Sequence, residues 1–209
     1  MDPLFIGIIV FLAIFVVLFF VLKPLKEKTR SAALLKLLNG KFRFPLGTLE
    51  FQFSDFDFSI VSQAIGGGTS HLRSCPVLVS YLKVPFSKFI IGHSDSKRFT
   101  LGQFLILPPS ETLMLKNIEI LVGSTDSVLI EKAKQLINKD EILRAALEIV
   151  FQRNFAHLTI SKEIHVGGPF LFHKQHVLRY VCLPVDIYKD AQSIVPYLKT
   201  ISDFIKKLD

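Results

Sequence analysis

Between Pro3 and Leu22 the sequence has no charged residue and almost no polar group. That absence excludes an ordinary surface helix, which needs a polar face. It also argues against a buried core helix, because Phe, Ile, Val and Leu fall on every side rather than along one stripe. Twenty residues at about 1.5 Å each extend for roughly 30 Å, the thickness of a hydrocarbon core, so residues 1–22 are expected to form a single N-terminal transmembrane helix. A cleaved signal peptide fits poorly, since its apolar stretch of about 7–15 residues follows positive charge and precedes small residues. Here Asp2 comes first, while Lys23, Lys26, Lys28 and Arg30 come after. The segment is expected to be retained.

Acidic residues are nearly absent from the next segment. Residues 23–43 hold seven Lys and Arg against Glu27 alone, so +6 of the chain's net +7 resides there; Asp2 contributes −1 and residues 44–209 carry only +2. The basicity belongs to a juxtamembrane linker, and no basic face interleaved with aromatics remains to hold nucleic acid. The expected partners are the lipid bilayer and its anionic head groups, contacted by Lys23, Lys26, Lys28, Arg30 and Lys36 at about 1 kcal/mol for each residue close to the surface. Flanking Lys and Arg resist translocation, which predicts a single-pass protein with its C-terminal domain cytoplasmic. An extracytoplasmic body is the alternative. Within the linker, Leu25 to Gly40 has helix-forming composition, with Leu34, Leu35 and Leu38 on one side and an Asn-Gly stop. It reads as a linker helix, or as an amphipathic anchor lying along the interface.

Cysteine is scarce. Cys75 and Cys182 permit one disulfide, but a sparse pair is equally what a reducing compartment tolerates.

Catalytic and cofactor signatures are missing too. Gly66, Gly67, Gly68 and Thr69, with Arg73 beyond them, are a weak candidate anion loop: no Lys closes it as a P-loop requires, and His71 stands where a dinucleotide fingerprint needs glycine. A turn between strands is the plainer reading. His165, His173 and His176 lack the acidic partner and helical spacing of a zinc site, so Phe172 to Gln175 reads as a polar turn. Asp55 and Asp57 alternate with Phe56 and Phe58, which puts both carboxylates on one face; that suits a divalent cation, or simply the solvated side of an edge strand. Gly-x-Ser-x-Gly is absent. No cofactor, metal or catalytic residue is assigned.

Beyond residue 43 comes a run of strand patterns, then helices. Phe51 and Phe53 share one parity and Phe56 and Phe58 the other, so a turn near Ser54-Asp55 is needed to bury both pairs. Further strands are expected over Pro76 to Val84, Lys88 to Gly92, Arg98 to Leu107 and Asn117 to Gly123. Two tandem helices come next, the second opened by an Asn138-x-x-Glu141 capping signal. A hairpin turning near Ser161-Lys162, a strand over His176 to Val185, and a C-terminal amphipathic helix capped by Asp190 complete the pattern. That helix has Ile194, Leu198, Ile201, Ile205 and Leu208 on its apolar stripe and Pro196 in its early turns. Strands before helices before a hairpin predict an α+β fold, with residues 44–209 as one domain built on a mostly antiparallel sheet.

Phenylalanine is plentiful: 20 in the chain, five of them before residue 23, and 15 left for the rest. These considerations lead to a membrane-tethered cytoplasmic binding or scaffolding domain without catalytic activity. Two alternatives remain: a lipid or apolar-ligand binding domain, for which the Phe excess supplies a groove, and a membrane-anchored enzyme with an unrecognised site.

Overall fold

Alternation with a period of two governs the body. The computed structural model describes residues 3–43, 47–65, 73–83, 85–96, 109–167 and 171–209. Among them nine strands form one antiparallel sheet: β1 (Lys41–Arg43), β2 (Thr48–Phe53), β3 (Phe56–Ile65), β4 (Arg73–Leu82), β5 (Phe89–His93), β6 (Ser110–Met114), β7 (Glu119–Ser124), β8 (His157–Gly167) and β9 (Leu171–Val181). Their order across the sheet is β1-β2-β3-β4-β9-β8-β5-β7-β6. The α-helices are α1 (Pro3–Val16), α2 (Lys23–Arg30), α3 (Ala32–Leu37), α4 (Ser127–Lys139), α5 (Glu141–Phe151) and α6 (Val195–Leu208). The fold is α+β.

The N-terminal apolar run does not form one α-helix. α1 ends after 14 residues and passes directly into a six-residue π-helical segment, Val17–Leu22, whose wider winding divides the run. Among the described residues no helix is long and apolar enough to cross a membrane.

The phenylalanine conflict resolves through a two-residue hairpin. Ser54 takes a left-handed φ of 55°, β2 reverses into β3, and Phe51 comes opposite Phe58 while Phe53 meets Phe56. The Phe51 and Phe58 rings stand 5.9 Å apart. The expected strands over residues 76–84, 88–92 and 117–123 correspond to β4, β5 and β7, whereas Arg98 to Leu107 lies outside the described residues. β6, an edge strand not foreseen, carries mostly exposed side chains and so lacks an apolar signal.

Four local expectations are corrected. Asn138 lies inside α4 and caps nothing; Asp140, extended and immediately before α5, accepts the Leu143 N–H at 2.9 Å. No turn occurs at Ser161-Lys162. β8 runs unbroken through them and pairs with β9 from His157↔Val181 to Gly167↔Leu171, because a mid-strand polar run is tolerated once a neighbouring strand takes up its backbone groups. For the same reason Phe172 to Gln175 is strand rather than turn. At the C-terminus, Asp190 caps a 3₁₀ turn, Ala191–Ile194, by accepting the Gln192 N–H, and α6 begins after it with Pro196 in the first turn. Pro there forfeits only an N–H that has no helical partner.

Helices α4, α5 and α6 bury their apolar stripes on one face of the sheet. Leu78, Phe89, Ile91, Ile120, Leu158, Ile160 and Leu178 from the strands meet Ile137, Leu147, Phe151, Leu198, Ile201 and Phe204 from the helices. Phe89 and Phe204 rings lie 6.2 Å apart. Tyr180 sits at the centre, 6.3 Å from the Phe151 ring and 6.0 Å from the Tyr197 ring, and its hydroxyl donates to the Val150 carbonyl at 2.6 Å. On the other face Val77, Val79, Val177 and Val181 form a separate buried cluster.

His157, 2% exposed, opens β8. Its Nδ1–H donates to the Phe155 carbonyl at 2.7 Å, and its buried Nε2 has no hydrogen-bond partner among the described residues. Burial disfavours the charged ring and brings its pKa down from 6.5 to about 4. In the unfolded chain the ring binds a proton near its ordinary value, while the folded protein refuses one until lower pH. Stability from this residue is therefore full above about pH 6.5 and lost as pH falls towards 4, by about 3 kcal/mol in all. Urea unfolding of the full chain in detergent across that window is expected to show the loss, and His157→Gln is expected to flatten it.

Candidate functional site

Every described side chain from Phe5 to Leu18 is exposed, Phe11 at 68%. Phe5, Leu12, Ile14 and Leu18 join none of the buried clusters of the body. Among its described side chains, the rod of α1 and the π-helical segment is thus apolar around its circumference and uncovered by the rest of the protein.

The basic segment continues from the rod without a break in helical backbone. Pro24 lies in the first turn of α2, where, lacking an N–H, it cannot bond back to the preceding turn of the continuous helix. Lys26, Lys28 and Arg30 are exposed on α2 and Lys36 on α3, while Lys23 begins α2. These residues therefore form a cationic collar next to the apolar rod. Glu27 is only half-buried and its carbonyl accepts the N–H of Ser31, the buried residue between α2 and α3.

Two contacts hold this collar to the body. Leu34 is fully buried in the main core, with Leu35, Leu37 and Leu38 packed against it. The Arg30 guanidinium lies over the Tyr188 ring, 4.1 Å from its centroid, a cation–π arrangement. Burial pushes the Tyr188 hydroxyl up, helped by Glu27 and opposed by Arg30. The Asn-Gly stop behaves as its residues suggest: Asn39 takes a φ of 47°, and the Gly40 N–H donates to the Leu35 carbonyl at 3.0 Å. Tyr188 was not singled out from the sequence, because an aromatic between Ile187 and Lys189 carries no signal that Arg30 will stack on it.

The other candidates disperse. Gly66, Gly67, Gly68 and Thr69 lie outside the described residues, and Arg73 is the first residue of β4, paired with Ile65. Arg73 thus opens a strand, not the helix that would aim backbone amides at an anion. His165 and His173 are opposite each other in the β8–β9 ladder, but His176 is opposite Lys162, and its Nδ1 accepts the Phe86 N–H at 3.2 Å. Among the described residues no group of three or more His, Cys, Asp or Glu is arranged to hold a metal ion.

Asp55 and Asp57 separate as well. Asp55 occupies the β2–β3 turn and pairs with Lys206, whose Nζ also donates to Ser54 Oγ at 2.6 Å; Asp57 is on β3. The Lys206 hydrogen bond and charge hold the Asp55 carboxyl below its ordinary range, with a smaller contribution from Lys83. Beside this pair is a pocket of about 280 Å³, lined by Phe56, Tyr81, Leu82, Phe86 and Ile205 together with Lys83. No protein-family model, no curated protein and no solved structure matches the chain.

Removing the Leu34 side chain should expose how firmly the collar is docked. Leu34→Ala is expected to cost about 2–5 kcal/mol, the range for a buried leucine, measured by chemical denaturation. Limited trypsin digestion should also cut faster at Lys36 and Lys41 in that variant.

Proposed function

We propose that this protein is a membrane-tethered cytoplasmic binding or scaffolding domain without catalytic activity, with residues 3–22 embedded in the bilayer. The observation that carries this reading is the rod whose apolar side chains are exposed on every side. A surface of that extent is unfavourable in water and is satisfied by lipid tails. Helical backbone continues from Pro3 through Leu22 into α2, so the rod's intrahelical hydrogen bonds meet the main demand that hydrocarbon places on a chain.

Lys23, Lys26, Lys28, Arg30 and Lys36 then lie at the level of anionic head groups, and their charge keeps the body on the cytoplasmic side. The non-catalytic reading draws support from the engagement of the polar candidates in structure: Asp55 with Lys206, and His176 with the Phe86 backbone.

A second reading, apolar-ligand binding, has the pocket around Phe56, Phe86 and Ile205 in its favour. Native mass spectrometry of the full chain extracted from membranes distinguishes it, since a co-purifying lipid lost in a Phe56→Asp variant would favour it over pure scaffolding.

The anchoring itself is tested by fractionation and topology mapping. The full chain is expected to remain with membranes through an alkaline carbonate wash, and deletion of residues 1–22 to release it. A reporter fused after Asp209 is expected to remain protected from protease added outside intact cells. Recovery of the full chain in the soluble fraction would overturn the anchoring, and an accessible reporter would overturn the orientation. Charge reversal of Lys26, Lys28, Arg30 and Lys36 is expected to weaken the orientational bias and yield a mixed population.

A further inference from the structure

Cys75 lies on β4, and Cys182 directly follows Val181, the last residue of β9. These strands pair antiparallel from Leu78↔Tyr180 to Leu82↔His176. Both cysteines therefore stand just beyond the same end of one ladder, although they are far apart in sequence. Cys182 holds a φ of 74°, a backbone that residues other than glycine seldom adopt. The strand alternation ends there, and the two side chains come close enough for each to shift the other's pKa. No disulfide joins them, and both are half-buried, which leaves them open to a small solute.

The pair is chemically unequal. The neighbouring Cys182 side chain holds the Cys75 thiol below its ordinary pKa, while Cys75, helped by burial, pushes the Cys182 thiol up. Arg153 is near enough to favour the thiolate. A thiolate beside a cation is the reactive form of cysteine, and a protonated thiol close by at the same end of the ladder is positioned to resolve its first oxidation product.

We propose that Cys75 and Cys182 are a peroxide-responsive thiol pair, Cys75 reacting first and Cys182 closing the disulfide. The Cys75 thiolate attacks one oxygen of hydrogen peroxide; the O–O bond breaks, Cys75 becomes a sulfenic acid, and the departing hydroxide takes up a proton as water. The Cys182 sulfur, giving up its proton, then attacks the Cys75 sulfur. An S–S bond forms, the S–O bond breaks, and the hydroxyl leaves with that proton as a second water. Two thiols are oxidised and one peroxide is reduced to two waters. The product links β4 covalently to the end of β9. This inference does not depend on the membrane reading.

The test uses the purified full chain in detergent, treated with hydrogen peroxide, alkylated and digested without reductant. A Cys75–Cys182 crosslinked peptide is expected, lost on adding dithiothreitol. Cys182→Ser is expected to accumulate a sulfenic acid at Cys75 that dimedone traps, while Cys75→Ser is expected to leave Cys182 alkylated as a free thiol at the same peroxide dose. Far-ultraviolet circular dichroism establishes that each variant remains folded. Recovery of both cysteines as free thiols after peroxide, oxidation of Cys182 in Cys75→Ser, or a disulfide formed only between two chains would each overturn the proposal.

Discussion

The pairing of β9 with both β4 and β8 holds the molecule together. β1 to β4 are laid down as a meander, and the chain then leaves to build β5, β6, β7, α4 and α5 before returning as β8 and β9 to fill the gap between β4 and β5. Without that returning hairpin the first four strands and the middle three would share no edge. Tyr180 marks the junction: it is opposite Leu78 on one side and Leu158 on the other, and its hydroxyl reaches across to the Val150 carbonyl of α5. A buried tyrosine needs such a partner, because a hydroxyl left unpaired in the core costs about 1–3 kcal/mol. The same bond therefore fixes how α5 sits over the seam. Both halves of the sheet depend on contacts distant in sequence, which are costly in loop closure and slow to form.

Charge plays a smaller part, and two of its pairs involve the end of α6. Lys206 pairs with Asp55 in the β2–β3 turn, and Lys207 with Asp140 between α4 and α5. Both lysines lie in the last helical turn, where cations suit the helix dipole. Asp140 serves two partners, since its carboxylate also caps α5. Exposed pairs of this kind are screened by solvent and contribute too little to hold the fold. Their positions, on a turn and on an interhelical joint, make them fasteners for the docking of α6 while the apolar stripe supplies the stability.

The features legible in the sequence are those whose cause is local. Opposite parities at Phe51 and Phe56 demand a reversal, and Ser54-Asp55 supplies it. Asn39-Gly40 ends a helix as its residues suggest, and Pro196 marks the first turn of α6, although Asp190 caps the 3₁₀ turn before it. Where reading failed, the deciding partner was remote. Ser161, Lys162 and Glu163 look like a turn until β9 is laid beside them, and Asn138 looks like a cap until the chain is seen to stay helical to Lys139. The candidate site divides the same way. A run of Lys and Arg after an apolar stretch is visible in any sequence, but the stacking of Arg30 on Tyr188 and the meeting of Cys75 with Cys182 depend on strand and turn placement that no spacing encodes. Leu34 is the sharpest case, because a leucine stripe on a short helix reads identically whether it faces lipid or a protein core.

That Leu34 faces the core changes what an anchor would do. A free linker would let the body range over the membrane surface, whereas here only about twelve helical residues, roughly 18 Å of rise, separate Leu22 from Leu34. Within that interval the chain is helical except at Ser31, itself buried, and Arg30 is stacked on Tyr188. On the anchored reading the body is therefore held at short reach. A partner at the same membrane then meets it at the raised effective concentration that a short tether provides, and a partner far from the bilayer gains nothing. The constraint favours a domain whose ligand is itself at the membrane, because the same docking that fixes the reach also limits how the body can turn to meet anything else.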